Sequence, residues 1–361
     1  MNKTAFAERI GVELRTVTGY ERGEYEPSEE TLNRIARILS FPRGFFLGGA
    51  VHEPSPATAS FRSMSRMSAA NREAALASGA LAFLLEDWLA ARFTLPVPDL
   101  PDLREEEPEA AAMMLRQYWG LGERPIKNMV HLLEARGIRV FSMAEDTIEV
   151  DAFSLWRDTT PFVFLNTLKS PERSRFDAAH ELGHLVLHRH GGPPRSNRGE
   201  HDSDEPDADS RMMEHEANRF ASAFLMPRGS ILAHAPALPS LSLIIQLKTF
   251  WLVSVSALAY RLHHLDLLTD WHYRSLCIEI AQKGYRTNEP NSAPREMSQI
   301  LAKIFTALRE DGMSKDDVAD VLQIEVDELD KLVFGLMLVS LSGGRSAPGG
   351  QRRRPELSIV K

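Results

Sequence analysis

Hydrophobic positions recur with different periods along the chain. Up to residue 47, apolar residues return every three or four positions in short stretches separated by turn residues. Phe6, Ile10, Val12 and Val17 form one such set, and Leu32, Ile35, Ala36 and Leu39 a later one, the mark of short amphipathic helices. A Ser-rich segment with Pro54 and Pro56 follows, then a helical stretch over Ala69–Phe93 and a Pro- and acid-rich linker at 96–108. From Ile126 to Ala135 the helical period returns and stops at Gly137. Three runs of branched and aromatic residues come next: IRVF at 138–141, TIEVDAF at 147–153 and PFVFLN at 161–166. They predict a small sheet, with PFVFLN as an exposed edge able to align an extended peptide. Ser170-Pro171 opens another helix. Residues 191–210 are polar, acidic and rich in breakers, which predicts a mobile loop that gates a cleft. Helix resumes over Arg211–Met226 and again within 241–284 and 295–339, and the tail at 343–361 reads as disordered.

The expected fold class is therefore α+β, predominantly α. The expected units are 1–47, a connecting region at 48–118, a sheet-bearing domain at 119–275, a C-terminal helical domain at 276–342 and the tail. Length supports this division, since 361 residues suffice for two or three domains. The apolar fraction of 43% and charged fraction of 25% are those of a globular protein. No apolar run approaches the roughly 18 residues of a membrane span. The single cysteine, Cys277, can form neither an internal disulfide nor a thiolate metal cage. The expected location is the cytoplasm, with no membrane partner. A net charge of −8 excludes a surface that grips nucleic acid throughout and leaves room only for a local basic patch.

The most informative segment follows the sheet: His180-Glu181-Leu182-Gly183-His184. On a helix, positions i and i+4 lie about 40° apart, so both imidazoles can share one metal. Glu181 lies about 100° round from His180, at the margin of that face, where it can take a proton from water without ligating. Ala178, Ala179, Leu182, Leu185 and Val186 gather on the other side as the buried face, and Gly183 lets another helix approach. A catalytic zinc needs a third protein ligand. His188 would have to bend back to reach the metal. His190 lacks the glycine its spacing class requires, because Leu187 holds that position. On the next helix Glu214 shares a face with Asn218, Ala217, Ala221 and Leu225, whereas Glu216 lies about 200° away. Glu214 is the expected third ligand, and Asn218, one turn on, the residue that orients a ligating histidine. His215 and Tyr260 are candidates to stabilise an oxyanion.

The run RFDAAHELGHLVLH, followed by EHEANRFASAFLMP, resembles the ImmA/IrrE family of metallopeptidases, and DAFSLW and PFVFLN resemble that family's strands. The resemblance covers roughly residues 120–265. It implies a zincin-like core, zinc held by His180, His184 and Glu214, and Glu181 as general base. It further implies a protein substrate, a helix-turn-helix repressor of the Cro/CI type, whose cleavage releases repressed genes such as those of a stress response. A site of two histidines and a glutamate also accepts Mn2+ or Fe2+ in place of Zn2+.

Residues 1–47 resemble the central and C-terminal part of a Cro/CI-type helix-turn-helix, with Gly11 in the turn and Tyr20-Glu21-Arg22-Gly23 closing the second helix. The resemblance implies that the helix near Glu13–Glu21 faces a DNA major groove with Arg15, Thr16 and Thr18. Acidic and basic residues balance over this segment, so protein recognition is the competing reading. A second helix-turn-helix period at 312–335 carries too many acids for phosphate contact and reads as a packing bundle. The alternative for the whole chain is a DNA-binding regulator or antitoxin-like adaptor in which a metal only holds two helices together.

Overall fold

The structure, a computed structural model, describes residues 1–54, 69–143, 151–188, 206–236 and 239–337. The acidic stretch through residue 205, His190, the first residues of the second expected strand (147–150) and the tail lie outside the described residues.

Four helices make the N-terminal unit: α1 (Lys3–Ile10), α2 (Leu14–Glu21), α3 (Glu29–Leu39) and α4 (Arg43–Leu47). The side chains of Asn2 and Ser28 cap α1 and α3, and Gly11, at φ 74°, ends α1 in a left-handed conformation that favours glycine. A small separate core of Ala7, Ile10, Val17 and Ile35 holds the unit together. Leu39, expected on the apolar face, is exposed because it is the last helical residue and extends past this small core. Ile38 packs in its stead.

Next come α5 (Ala69–Ala90), α6 (Pro108–Tyr118) and α7 (Met129–Ala135). The last starts three residues later than the apolar spacing predicts, because the Asn128 side chain accepts from the His131 amide and fixes the first turn there. The Pro-rich segment expected as a linker is anchored at both ends. The Asp99 amide donates to Arg136 O at 3.0 Å and the Leu103 amide to Val186 O at 3.1 Å. Gly137 is required where this segment crosses, since a Cβ there would stand 2.4 Å from the Val97 backbone and its φ is +76°.

The sheet has three strands, β1 (Arg139–Ser142), β2 (Ala152–Arg157) and β3 (Thr160–Leu165), in the order β1-β3-β2. β1 runs parallel to β3 and β2 antiparallel. PFVFLN is thus the central strand and not an edge. Phe162, Val163 and Phe164 are fully buried, and an unbroken apolar run of this kind suits a strand covered on both faces.

After β3, α8 (Pro171–Gly183) passes into one π-helical turn (His184–His188). α9 (Pro206–Leu225) starts five residues before the expected Arg211 and packs along α8. The rest is helical: α10 (Arg228–His234), α11 (Leu241–Trp251), α12 (Val255–His264), α13 (Asp270–Gln282), α14 (Gln299–Glu310), α15 (Lys315–Leu322) and α16 (Val326–Val333). No single described helix is long and apolar enough to cross a membrane.

The C-terminal helices share the core of the sheet-bearing unit: Leu308, Val318 and Leu329 belong to the same cluster as Phe162 and Leu182. Two carboxylates fasten the two parts reciprocally. Glu134, on α7, accepts from the amides of Gln299 and Ile300 at the start of α14. Glu296 accepts from the amides of Met129 (2.7 Å) and Val130 (3.2 Å) at the start of α7, and pairs with Arg175 on α8. Each acid stabilises the positive N-terminal end of a helix in the opposite part. A buried network completes the attachment. Lys248 lies 3.1 Å from both Glu172 and Glu289, and Glu172 also accepts from Ser292 Oγ and the Ala293 amide. The N-terminal half of α8, which leads into the histidines, is therefore held by ionic contacts from several elements.

Candidate metal centre

α8 begins with Ser170 as cap and Pro171 in its first turn, so the helix phase is fixed ten residues before His180. Its buried face is the expected one: Ala178, Ala179, Leu182, Leu185 and Val186 are all at most 2% exposed. That anchoring turns His180 and His184 toward α9. Gly183 makes the approach possible, because a Cβ there would meet Phe220 Cδ1 at 3.0 Å and Ala217 Cα at 3.3 Å.

The structure brings His180, His184 and Glu214 together. One ligand atom from each lies within 4.8 Å of the others, and no other such group occurs among the described residues. The Nε2 atoms of the two histidines are 3.1 Å apart, and Glu214 reaches them at 3.5 Å and 3.3 Å. Burial alone would raise the Glu214 carboxyl, but its hydrogen bonds to both imidazoles hold it well below the ordinary carboxylate range. Burial, with the neighbouring charges of His180 and His188, drives His184 well below an ordinary imidazole, against the pull of Glu214. Burial also acts to lower His180, but the Glu214 hydrogen bond and the charges of Glu181 and Asp177 outweigh it and raise it. The donor set is two imidazole nitrogens and one carboxylate, the set that suits zinc and related divalent ions.

The surrounding contacts fit such an ion. His180 Nδ1 lies 3.2 Å from Asn218 Oδ1. An amide oxygen only accepts, so Nδ1 carries a hydrogen, which leaves Nε2 as the nitrogen able to ligate a metal. Glu181 is buried, and Ser154 Oγ, on β2, donates to its Oε2 at 2.6 Å. The pattern FSLW gave one usable signal for this: Ser154 is the only polar residue between the apolar neighbours of a buried strand. Asp177, one turn before Glu181 on α8, carries no local signal in the sequence that sets it apart from a surface acid. Burial lifts its carboxyl to about 6, against the charges of Arg173, His180 and Lys169.

His188 and Glu216 are placed otherwise than helix geometry predicts. His188 neither projects past the site nor joins the three ligand atoms: its Nδ1 is 2.9 Å from His184 Nδ1 and its Nε2 is 2.9 Å from Glu216 Oε2. Glu216 is thus beside the centre and not remote from it. The projection assumed α-helical turns throughout. A π turn closes i→i+5 bonds and holds more residues per turn, so His188 falls back around the axis. His215 is exposed, and Tyr260 stacks on His264 at 6.0 Å. The structure brings neither to Glu181 or the three ligand atoms.

The expected DNA-facing residues all lie on α2. Arg15 is 84% exposed and pairs with Glu13 at 2.7 Å, Thr16 is half-buried, and Thr18 Oγ1 bonds back to Leu14 O at 3.2 Å.

Comparison with protein families agrees with both halves of this description. Residues 133–263 match the peptidase family model described as the IrrE N-terminal-like domain, and residues 1–46 match a helix-turn-helix family. A search of curated proteins returned no match. The first match takes in the sheet, α8, the π turn, α9 and most of α12, and so contains the whole candidate metal centre. The chain joins an N-terminal helix-turn-helix domain to an IrrE N-terminal-like peptidase domain, the domain pairing of an ImmA/IrrE protein.

Proposed function

We propose that the protein is a cytoplasmic, zinc-dependent endopeptidase whose substrate is a Cro/CI-type helix-turn-helix repressor, with Mn2+ or Fe2+ as possible substitutes for zinc. The observation that carries this reading is the convergence of His180, His184 and Glu214, with Glu181 buried alongside and held by Ser154. Three protein ligands leave room for water, whereas a structural zinc site is closed by four. That count, made among the described residues, favours the enzyme over the regulator whose metal only joins two helices.

A zinc ion held by these three side chains supplies Lewis acidity, which polarises a peptide carbonyl and acidifies water. Glu181 takes the proton of the attacking water and returns it to the leaving amine. Ser154 donates to one oxygen of that carboxylate and so holds its orientation. Asn218 keeps His180 in the tautomer that ligates through Nε2. The helix-turn-helix would bring the peptidase to DNA, where repressors reside, with Arg15, Thr16 and Thr18 of α2 toward the groove.

The test has two parts. Elemental analysis of the purified chain should find about one zinc, lost in His184→Ala and Glu214→Ala proteins that keep their circular dichroism. Glu181→Gln should retain zinc and fold while cleavage of the cognate repressor falls by roughly 10²–10⁴-fold, the range typical for a general base. Undiminished cleavage by Glu181→Gln would overturn the mechanism. Absence of zinc from the wild type after incubation with the metal would overturn the enzyme reading.

A further inference from the structure

His184, His188 and Glu216 form a line of hydrogen-bonding atoms that ends on a carboxylate. We infer that His188 and Glu216 are positioning residues that present His184 to the metal through Nε2. The inference rests on the metallopeptidase reading and extends it outward from the three ligands.

An imidazole that ligates a metal through Nε2 carries its hydrogen on Nδ1. His184 Nε2 lies on the ligand side, 3.3 Å from Glu214 and 3.1 Å from His180 Nε2, and its Nδ1 faces His188 Nδ1 at 2.9 Å. With a metal bound, His184 Nδ1 would therefore donate and His188 Nδ1 accept. The hydrogen of His188 would then sit on Nε2, which stands 2.9 Å from Glu216 Oε2, an atom that only accepts. Every contact along the line agrees with the ligating tautomer of His184, and the Glu216 carboxylate supports it through an intervening imidazole.

Burial strengthens this support. The side chains of His184 and His188 are 3% and 2% exposed, so water competes little for either ring. The π turn is the local device that makes the contact. His184 and His188 are its first and last residues, and their ring centroids stand 4.9 Å apart. The two ligating histidines are therefore oriented by different means. Asn218, a neutral amide, serves His180 directly, and an anion serves His184 through a relay. Both supports come from α9, the helix that also carries Glu214, so one helix supplies a ligand and the orientation of the other two.

The test uses the full chain with 15N-labelled histidine, with the His184 signals assigned by their loss in His184→Asn. With zinc bound, the His184 Nδ1 hydrogen should give a proton signal shifted far downfield by its hydrogen bond to His188. In Glu216→Leu that shift should shrink, in His188→Phe it should be lost, and Glu216→Gln, whose amide oxygen can still accept, should restore most of it. Zinc affinity, measured by chelator competition, should fall roughly 10–100-fold in the first two variants and recover in Glu216→Gln. Circular dichroism identifies variants that keep the fold. An unchanged His184 Nδ1 proton signal in a folded, zinc-loaded Glu216→Leu protein overturns the relay, even where affinity drops. Unchanged zinc affinity in that variant overturns it equally. Failure of the wild type to bind zinc is a separate outcome and would overturn the peptidase reading.

Discussion

The metal centre and the helix-turn-helix both depend on charged and polar side chains, but burial separates them. Around His184 and Glu181, each 3% exposed, polar atoms are pinned by Ser154 and the His188–Glu216 pair. On the helix-turn-helix, the ion pairs Lys3–Glu21 and Arg15–Glu13 lie at the surface, with every partner at least 45% exposed. In the first region, desolvation makes each contact strong and each missing partner costly. In the second, water and salt screen the same kinds of pair until they contribute little. One region is built for fixed geometry. The other has a rigid apolar centre and an adjustable charged exterior.

The sharpest way to test this contrast is to remove one cation from each region. Lys248 is 1% exposed and lies between Glu172 and Glu289. Lys248→Ala would leave two carboxylates buried beside each other near the start of the histidine-bearing helix, a loss of about 3–5 kcal/mol. Lys3→Ala breaks a surface pair and should not shift the midpoint measurably. Urea denaturation of both variants decides the point, and comparable midpoint shifts would break the comparison.

A smaller effect concerns protons. Metal binding to His180 must displace the hydrogen that an imidazolium carries on the ligating nitrogen. Burial lowers the pKa of His180, but Glu214, Glu181 and Asp177 raise it on balance, so the proton is held to higher pH than in a free imidazole. Zinc affinity should therefore weaken as pH falls through neutrality, by about tenfold per pH unit while one proton is exchanged. Chelator competition between pH 8 and 6 measures this. A flat profile would show that His180 is already neutral across that range. Salt supplies the converse: raising it should leave zinc affinity nearly unchanged and weaken any DNA binding steeply.

How much of this was legible in the sequence depends on the distance over which each feature is determined. The phase of α8 was readable because Ser170, Pro171 and the apolar set from Ala178 to Val186 are local. Helix geometry alone then places His180 and His184 together and favours Glu214 over Glu216 as the third member of the group, and the structure brings these three side chains together. The relay was not readable, because it depends on a change of helix type at His184–His188, and no residue in HLVLH announces a π turn. The central place of β3, against the expected edge, has a different reason: a run as apolar as PFVFL is stable only with cover on both faces, which the middle of the sheet supplies. The hydrogen-bonded attachment of α14 to α7 was out of reach, since Glu134 and Ser298 are 164 residues apart and each alone looks like an ordinary surface polar group.

The smallest predicted effect lies at the other pole of the comparison, on α2. Residues 1–46 carry seven basic and seven acidic side chains, so the domain has no net attraction for phosphate. Arg15, the basic residue best placed on the exposed side of α2, is held at 2.7 Å by Glu13. Glu13→Gln removes that competitor and a negative charge from the same surface. If α2 faces DNA, affinity for a duplex should rise a few-fold, and the salt dependence should steepen by about one counterion as Arg15 turns to a phosphate. Thermal stability should stay unchanged, because the pair is screened by water. Fluorescence anisotropy with a labelled duplex at several salt concentrations measures both quantities on the same sample. A change in affinity without a change in salt slope would mean that Glu13 acts on the fold of α2. No DNA binding in either protein would mean that this surface serves a protein partner, and the balance of its charges would then be part of that recognition.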